Sequence, residues 1–302
     1  MEIIHYEPTL LKKLTEGYNN IIRHVPHCYR IDENDFADAV AGINGDGEGH
    51  EQLHSEAGFA AKDGDVLRGF MHVGIRHESD ERAPTGVIYF FWYERGHRVA
   101  GQALLEAAEA YFREQNQVMV EAFSQHIRYP FYHFANAFLS DHLDHVQALL
   151  AFNGYDRTGG EVFLDWLDYD VVPTPTDVAA EISVEWDQGR GVRPGCVVEA
   201  AQDGKKLGGC VALSGGEYSR VDEAQDWVFI ISLGVSEEVR HHGLGRHLLL
   251  RSLQEMHSKG YRHASISTSL TNHRAFLFYS NCGFHVVDWT YGYTRELTED
   301  DD

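Results

Sequence analysis

Lysine is scarce in this chain. Six lysines and nineteen arginines face 47 acidic side chains, leaving a formal net charge of −22 over 302 residues. A surface this acidic repels polyphosphate backbones, which excludes nucleic acid as the main partner and suits a cationic or amine-bearing substrate. Long apolar runs are missing too. No window approaches the roughly 18 consecutive apolar residues of a membrane span, and Met1-Glu2-Ile3-Ile4-His5-Tyr6 has neither a basic flank nor a hydrophobic signal core. The expectation is a soluble, cytoplasmic protein with no membrane partner. Cysteine is sparse: Cys28, Cys196, Cys210 and Cys282 stand far apart, with no C-x-x-C pair and no zinc-knuckle spacing, so they read as reduced and structural. What is present is ordinary for packed cores, 43% apolar and 12% aromatic, in a length that suits two domains of about 150 residues each.

The first half reads as strand Ile3 to Tyr6, an amphipathic helix Leu10 to Val25 behind a Thr9 cap, then strands Gly58 to Ala61, Val66 to Ile75 and Val87 to Tyr93, with Asp63-Gly64 as a hairpin turn. Helix Gln102 to Glu114, strand Val118 to Phe123, helix Asp141 to Phe152 and strand Val162 to Trp166 complete it. Two prolines near an acidic run, Asp168 to Pro175, suit an exposed linker. The boundary is therefore expected near residue 170, giving domains 1–170 and 171–302. The second half repeats the order: strands Ile182 to Trp186, Cys196 to Ala201, Leu207 to Leu213 and Trp227 to Val235, a hairpin turn at Asp203-Gly204, helix Leu244 to His257, strand His263 to Ser267, helix Asn272 to Ser280 and strands from Phe284.

Register supports a duplication. An offset of 142 residues superposes Arg240 on Arg98, Gly243 on Gly101, Gly245 on Ala103, Leu233 on Phe91 and Val235 on Tyr93. An offset of 129 superposes Asn281-Cys282-Gly283-Phe284 on Phe152-Asn153-Gly154-Tyr155. In the second half Arg240-His241-His242-Gly243-Leu244-Gly245 lies between a strand and a helix. Its glycines let an anion reach backbone amides, and the helix directs its partial positive end at that anion. Arg240 and Arg246 add charge there, and His241 and His242 add donors.

A second motif follows the next strand: Asn272-His273-Arg274-Ala275-Phe276-Leu277-Phe278-Tyr279, then Asn281-Cys282-Gly283-Phe284. R-x-x-G-x-G/A after one strand and N-x-x-A-x-x-x-Y-x-x-x-G-F after the following strand together resemble the GNAT superfamily of acyl-CoA-dependent N-acyltransferases. The resemblance covers about Cys196 to the end and, more loosely, the first half. It implies an α/β (α+β) protein of two tandem GNAT-like domains, each a mixed, mostly antiparallel sheet flanked by helices, with the C-terminal one catalytic. It implies acetyl-CoA as co-substrate, no metal, and a small-molecule or peptide amine as acceptor, in a monomer or homodimer. By that resemblance the coenzyme A pyrophosphate lies on the amides of His241, His242, Gly243, Leu244 and Gly245, beside Arg240 and Arg246. The backbone of Leu233, Gly234 and Val235 runs beside the thioester, where an N–H stabilises the oxyanion. Tyr279 holds the position of the acid that protonates the departing thiolate. Asn272 touches the cofactor or caps its helix. The amine attacks directly in a ternary complex.

The base stays open among Asp226, Glu223, Glu217 and His263. The first half departs from the pattern, with Leu150 opposite Tyr279 and Leu143 opposite Asn272, so it is expected to be non-catalytic, whether or not it binds coenzyme A. The alternative is a non-catalytic acyl-CoA-binding or regulatory module. Other signals are weaker. His50-Glu51-Gln52-Leu53-His54 matches H-E-x-x-H but is bracketed by glycines that leave no sustained helix. Asn44 to Gly49 imitates the start of a calcium loop whose twelfth position falls on Ser55. His24 with His27 and His142 with His145 read as packing histidines, and Tyr129 to Phe134 as a loop over its own core.

Overall fold

The computed structural model describes residues 1–44, 53–76, 84–124, 129–136 and 138–298. Contacts group the chain into two compact units, Met1–Gly160 with Trp289–Asp302, and Glu161–Asp288.

In chain order the first half contributes β1 (Glu2–His5), α1 (Leu11–Ile21), α2 (Glu33–Ala39), β2 (Leu53–Asp63), β3 (Val66–Arg76), β4 (Thr85–Tyr93), α3 (Arg98–Glu114), β5 (Met119–Ala122), β6 (Leu139–Ser140), α4 (Asp144–Phe152) and β7 (Asp156–Trp166). The second contributes β8 (Glu181–Asp187), β9 (Gly195–Gln202), β10 (Lys205–Ser214), α5 (Asp222–Gln225), β11 (Trp227–Val235), α6 (Leu244–Ser258), β12 (His263–Ser269), α7 (His273–Cys282) and β13 (His285–Glu296).

In the first unit the strands run β1-β2-β3-β4-β5-β13, parallel at β4–β5 and antiparallel elsewhere, with β6 on β13. The α1 and α2 rings cover one face, Tyr18 on Phe90 and Phe36 on Phe70. α3 covers the other, where Leu104 closes over Gly69 and Phe112 over Gly86. Covered on both sides, β4 is buried along its whole length, which explains its unbroken apolar run. α2 was not legible as apolar periodicity because it spans only two turns. Its signal is a capping box, in which Asp32 accepts from the Asp35 amide (3.0 Å) and Asp35 from the Asp32 amide (3.2 Å). The expected Thr9 cap does not form. Thr9 sits in the preceding turn with its hydroxyl on Glu7, and α1 begins after it without a side-chain cap.

In the second unit the order is β7-β12-β11-β10-β9-β8, parallel only at β11–β12. Asp203 (φ 51°) and Gly204 (φ 76°) make the two-residue hairpin turn that the sequence predicts. The strand after each half's last helix completes the other unit's sheet. Glu161–Trp166 of β7 pair with β12, and Tyr293–Glu296 of β13 pair with β5. The proline-bearing stretch after β7 is largely exposed, as a linker should be, but is anchored at two points. Tyr169 is buried with its amide on the Arg262 carbonyl, and the Thr174 carbonyl pairs with His247 Nδ1 at 2.7 Å.

Among the described residues no helix is long and apolar enough to cross a membrane. No group of three His, Cys, Asp or Glu side chains there is arranged to hold a metal ion. His54 lies in strand β2, while residues 50–52 of the H-E-x-x-H stretch and residues 45–49 of the calcium-like one lie outside the described residues. Tyr129, Phe131, Tyr132 and Phe134 are buried in the first unit.

Candidate active site

β11 is regular only over its first half. It pairs with β12 from Trp227 to Ile230 and no further. Against β10 the register slips at that point: Ala212 faces Ile230 and Val211 faces Ser232, leaving Ile231 as the extra residue of a bulge. From Ile231 to Val235 the strand therefore diverges from β12 and opens one backbone edge, with Ile231 52% exposed.

The strand leads into the Arg240 loop. His241 (φ 70°) and Gly243 (φ 82°) adopt left-handed conformations on either side of His242, and α6 starts at Leu244. Among the described residues no backbone acceptor takes the amides of His241 through Arg246, while His247 N already donates to Gly243 O at 3.0 Å. Successive unpaired N–H groups at a helix start form an anion-binding concavity. Space is also present: a Cβ on Gly245 meets only Val235 Cγ1, at 3.8 Å, and one on Gly234 meets nothing within 4 Å.

α7 forms the other wall. Asn272 caps it, its side chain accepting from Ala275 N at 3.2 Å. Ala275, Phe278 and Tyr279 then share the face turned to the loop. Tyr279 is 7% exposed and its phenol is pushed up to about 12, first by burial and then by the nearby Cys210 and Cys282. Burial raises both thiols as well, Cys210 to about 12, so they stay protonated and are poor nucleophiles at neutral pH.

A cavity of about 550 Å³ joins these pieces. Leu233, Gly234, Val235, Arg240, His241, Gly243, Leu244, Gly245, Arg246, Asn272 and Tyr279, all singled out in the sequence, line it. His242 does not; its carbonyl accepts from Thr176 Oγ1 at 2.9 Å and from Asp177 N at 3.2 Å, which anchors the loop from behind. Val239, Arg274, Ala275 and Phe278 line it as well and were missed. Ala275 lies four residues before Tyr279 and three before Phe278, which puts the three on one helical face, and Arg274 reaches His241 Nε2 at 3.3 Å. Arg240 is held by Glu237 at 2.8 Å and Arg246 by the Asn281 carbonyl at 3.2 Å.

None of the four base candidates reaches the cavity. Asp226 pairs with Arg193 (2.9 Å), Glu217 accepts from the Arg190 and Gly191 amides, Glu223 is exposed in α5, and His263 Nδ1 accepts from Asp168 N. Asp226 and His263 flank the first residue of β11, roughly 20 Å of strand from Leu233. No carboxylate is present among the described lining residues.

The first unit has the same loop position but not the same loop. There α3 begins at Arg98 itself, so the Ala100 and Gly101 amides are spent on the His97 carbonyl. Val99 stands where left-handed His241 stands, and a β-branched residue resists that conformation. Tyr93, opposite Val235, narrows the groove: its ring lies where a Gly101 side chain would be, its hydroxyl donates to His145 O (2.7 Å), and its carbonyl pairs with His145 Nε2 (2.9 Å). A cavity of about 370 Å³ remains there, lined by Tyr93, Arg98, His145, Leu149 and Phe152. Leu150, opposite Tyr279, is fully buried.

Residues 162–284 match the family model described as "Acetyltransferase (GNAT) family". Among solved structures, a tandem GNAT protein from the clavulanic acid biosynthesis pathway is similar over 99% of both chains, with TM-score 0.70 and 13% identity. A GCN5-related glucosamine N-acetyltransferase region of a fungal multi-domain β-N-acetylglucosaminidase is similar over 97% of this chain and 38% of that one, with TM-score 0.67 and 14% identity. A GCN5-related N-acetyltransferase from Sphaerobacter thermophilus is similar over 98% and 95%, with TM-score 0.59 and 12% identity. A search of curated protein sequences finds no match.

Proposed function

We propose, from the match of residues 162–284 to the GNAT acetyltransferase family model and the tandem GNAT fold of the chain as a whole, that the C-terminal half, residues 171–302, transfers an acetyl group from acetyl-CoA to a primary amine. The observation that carries this reading is the run of unpaired amides from His241 to Arg246 in a loop whose residues, His242 excepted, line the same cavity as Tyr279. The residues present fit the coenzyme. The amides, with Arg240 and Arg246, hold its pyrophosphate; the glycines at 243 and 245 leave room for it; the open edge of Leu233 to Val235 runs beside its pantetheine arm. Acetyl-CoA supplies an acyl thioester.

A backbone N–H on the free edge of β11 stabilises negative charge on the thioester oxygen without reorganising. Tyr279, neutral throughout the physiological range, holds the proton that the sulfur leaving group needs. Because the Cys210 and Cys282 thiols are held neutral, direct attack by the amine is favoured over an acyl-cysteine. The N-terminal half, residues 1–170, is read as non-catalytic, since Leu150 stands opposite Tyr279 and the Ala100 and Gly101 amides are spent on the His97 carbonyl.

Tyr279→Phe tests the reading. Coenzyme A release should fall at least tenfold in kcat, while the Kd for acetyl-CoA stays within about threefold. Unchanged turnover removes Tyr279 as the acid. The lack of a lining carboxylate favours one alternative, an acyl-CoA-binding module without catalysis. Saturable acetyl-CoA binding with no coenzyme A release for any amine would establish it.

A further inference from the structure

Unit one covers the face of its sheet opposite α3 with α1 and α2, which lie between β1 and β2. Unit two has only residues 188–194 between β8 and β9, so the face of its sheet opposite α6 carries no such helices. α6 lies on the side where Leu248 packs on Gly208. On the opposite side the register stacks two rows across the strands. One row is Glu199, Gly209 and Gly234; the next is Val197, Val211 and Ser232. Cross-strand partners share a face, so two adjacent glycines make the floor of a trough that has valines along one side and Glu199 at its end. This trough is a cavity of about 390 Å³, and Gly234 and Val235 line both it and the coenzyme cavity.

The trough already holds an amine. Lys206 lies across it, with its Cε 3.5 Å and its Nζ 3.6 Å from where a Gly209 side chain would begin, and its ammonium rests on the Glu199 carboxylate. An aliphatic stem over Gly209 with a cation on Glu199 is the shape this surface accepts. Glu181 and Glu185 lie on the same face of β8 and extend its negative potential.

We propose that this trough binds the acyl acceptor, and that the acceptor is a linear aliphatic di- or polyamine. Its distal ammonium takes the place of Lys206 on Glu199, and its proximal amine lies at Gly234. Glu199 lies one strand spacing from Gly209 and two from Gly234, so the two nitrogens stand roughly 5–10 Å apart. The proximal nitrogen, as the free amine, forms the N–C bond as the C–S bond breaks. The amine proton passes to water, and the thiolate takes the Tyr279 proton. Glu199 is a specificity residue that does not touch the reacting atoms. The proposal rests on the acyltransferase reading of this site.

The test is coenzyme A release with butylamine, putrescine and spermidine, for the wild type, Glu199→Gln and Lys206→Met. All three proteins are to be matched by thermal melts, since both side chains are solvent-exposed. Butylamine carries the stem without the distal charge. The wild type should show a KM for putrescine at least threefold below that for butylamine, the scale of one partly exposed ion pair. Glu199→Gln should erase that ratio and Lys206→Met should widen it, because the internal competitor is gone. A ratio within twofold of unity in the wild type, or one that Glu199→Gln leaves unchanged, overturns the diamine assignment while acyl transfer stands. If acetyl-CoA binds and no amine turns over, acyl transfer itself fails and this inference falls with it.

Discussion

Gly245→Asp separates a pyrophosphate cradle from a tight corner that merely happens to need glycine. Gly245 is the second residue of α6, and a Cβ there meets only Val235 Cγ1 at an ordinary 3.8 Å, so the substitution needs no backbone shift. Gly243→Asp is a poorer probe, because Gly243 sits at φ 82° and any side chain there strains the fold. An aspartate in the first turn of a helix complements the dipole and is worth about 0.3–1 kcal/mol, so stability should hold or rise. Binding should behave oppositely. A carboxylate about 5 Å from one phosphate charge, at an effective dielectric of about 20, costs about 3 kcal/mol, or roughly 100-fold in Kd. Isothermal titration of acetyl-CoA, with a melt of each protein, reads both quantities, and raising the salt should recover part of the loss. Gly101→Ala in the first unit is the control. Its methyl would lie 2.6 Å from the Tyr93 ring and 2.8 Å from Leu149, an overpacking that should cost about 1–3 kcal/mol of stability while leaving the Kd alone. If Gly245→Asp binds within about threefold of the wild type, the cradle is misassigned.

Three further outcomes follow from α7. With the Tyr279 phenol held up to about 12, kcat should show no loss of this acid between about pH 8 and 11; an acid limb near 10 that vanishes in Tyr279→Phe would refute the burial argument. The same shift favours the protonated form in the folded chain, so its contribution to stability is full below about 10, the unfolded value, and is lost as pH rises through about 12. Asn272→Ala should cost about 1 kcal/mol in urea denaturation through the lost cap, and Asn272→Asp should restore it, since aspartate accepts the same Ala275 amide. An aspartate variant as unstable as the alanine one would mean that capping is not what Asn272 does for the fold.

The Asp203-Gly204 turn, the strand-loop-helix grammar and the α7 motif were legible because each is local, written in turn chemistry or in a 3.6-residue period; the first hairpin turn was placed one residue early, since Asp63 still pairs with Val66 and Gly64-Asp65 make the turn. α2 was hidden by its length, since seven residues show no periodicity and only Asp32 and Asp35 mark it. The exchange of β7 and β13 was hidden for another reason. Each is an ordinary strand by pattern, and nothing in Glu161–Trp166 encodes that its partner is β12. Asp168 to Pro175 reads as a solvated linker on its prolines, yet Tyr169 buries its ring and His247 takes the Thr174 carbonyl. The residues in motif register line one cavity, whereas features that depend on three-dimensional divergence left no mark in the sequence. The bulge at Ile231 and the trough over Gly209 exist only once β10 and β11 are paired.

The duplication makes the two loops a natural comparison, and what separates them is small. Both halves keep an arginine at the head of the loop and a glycine three residues on. In the second half His241 and Gly243 accept left-handed backbone, which delays α6 until Leu244 and leaves the preceding amides facing outward. In the first half Val99 does not accept it, the helix begins at Arg98, and the same amides turn inward to the His97 carbonyl. Once they are spent there, an anion loses those donors, and the Tyr93 ring stands over Gly101, held by two hydrogen bonds with His145, beside a cavity of about 370 Å³. Restoring a site to the first half would therefore take more than a tyrosine in place of Leu150: the helix start would have to move by about one turn, to free the Ala100 and Gly101 amides from the His97 carbonyl.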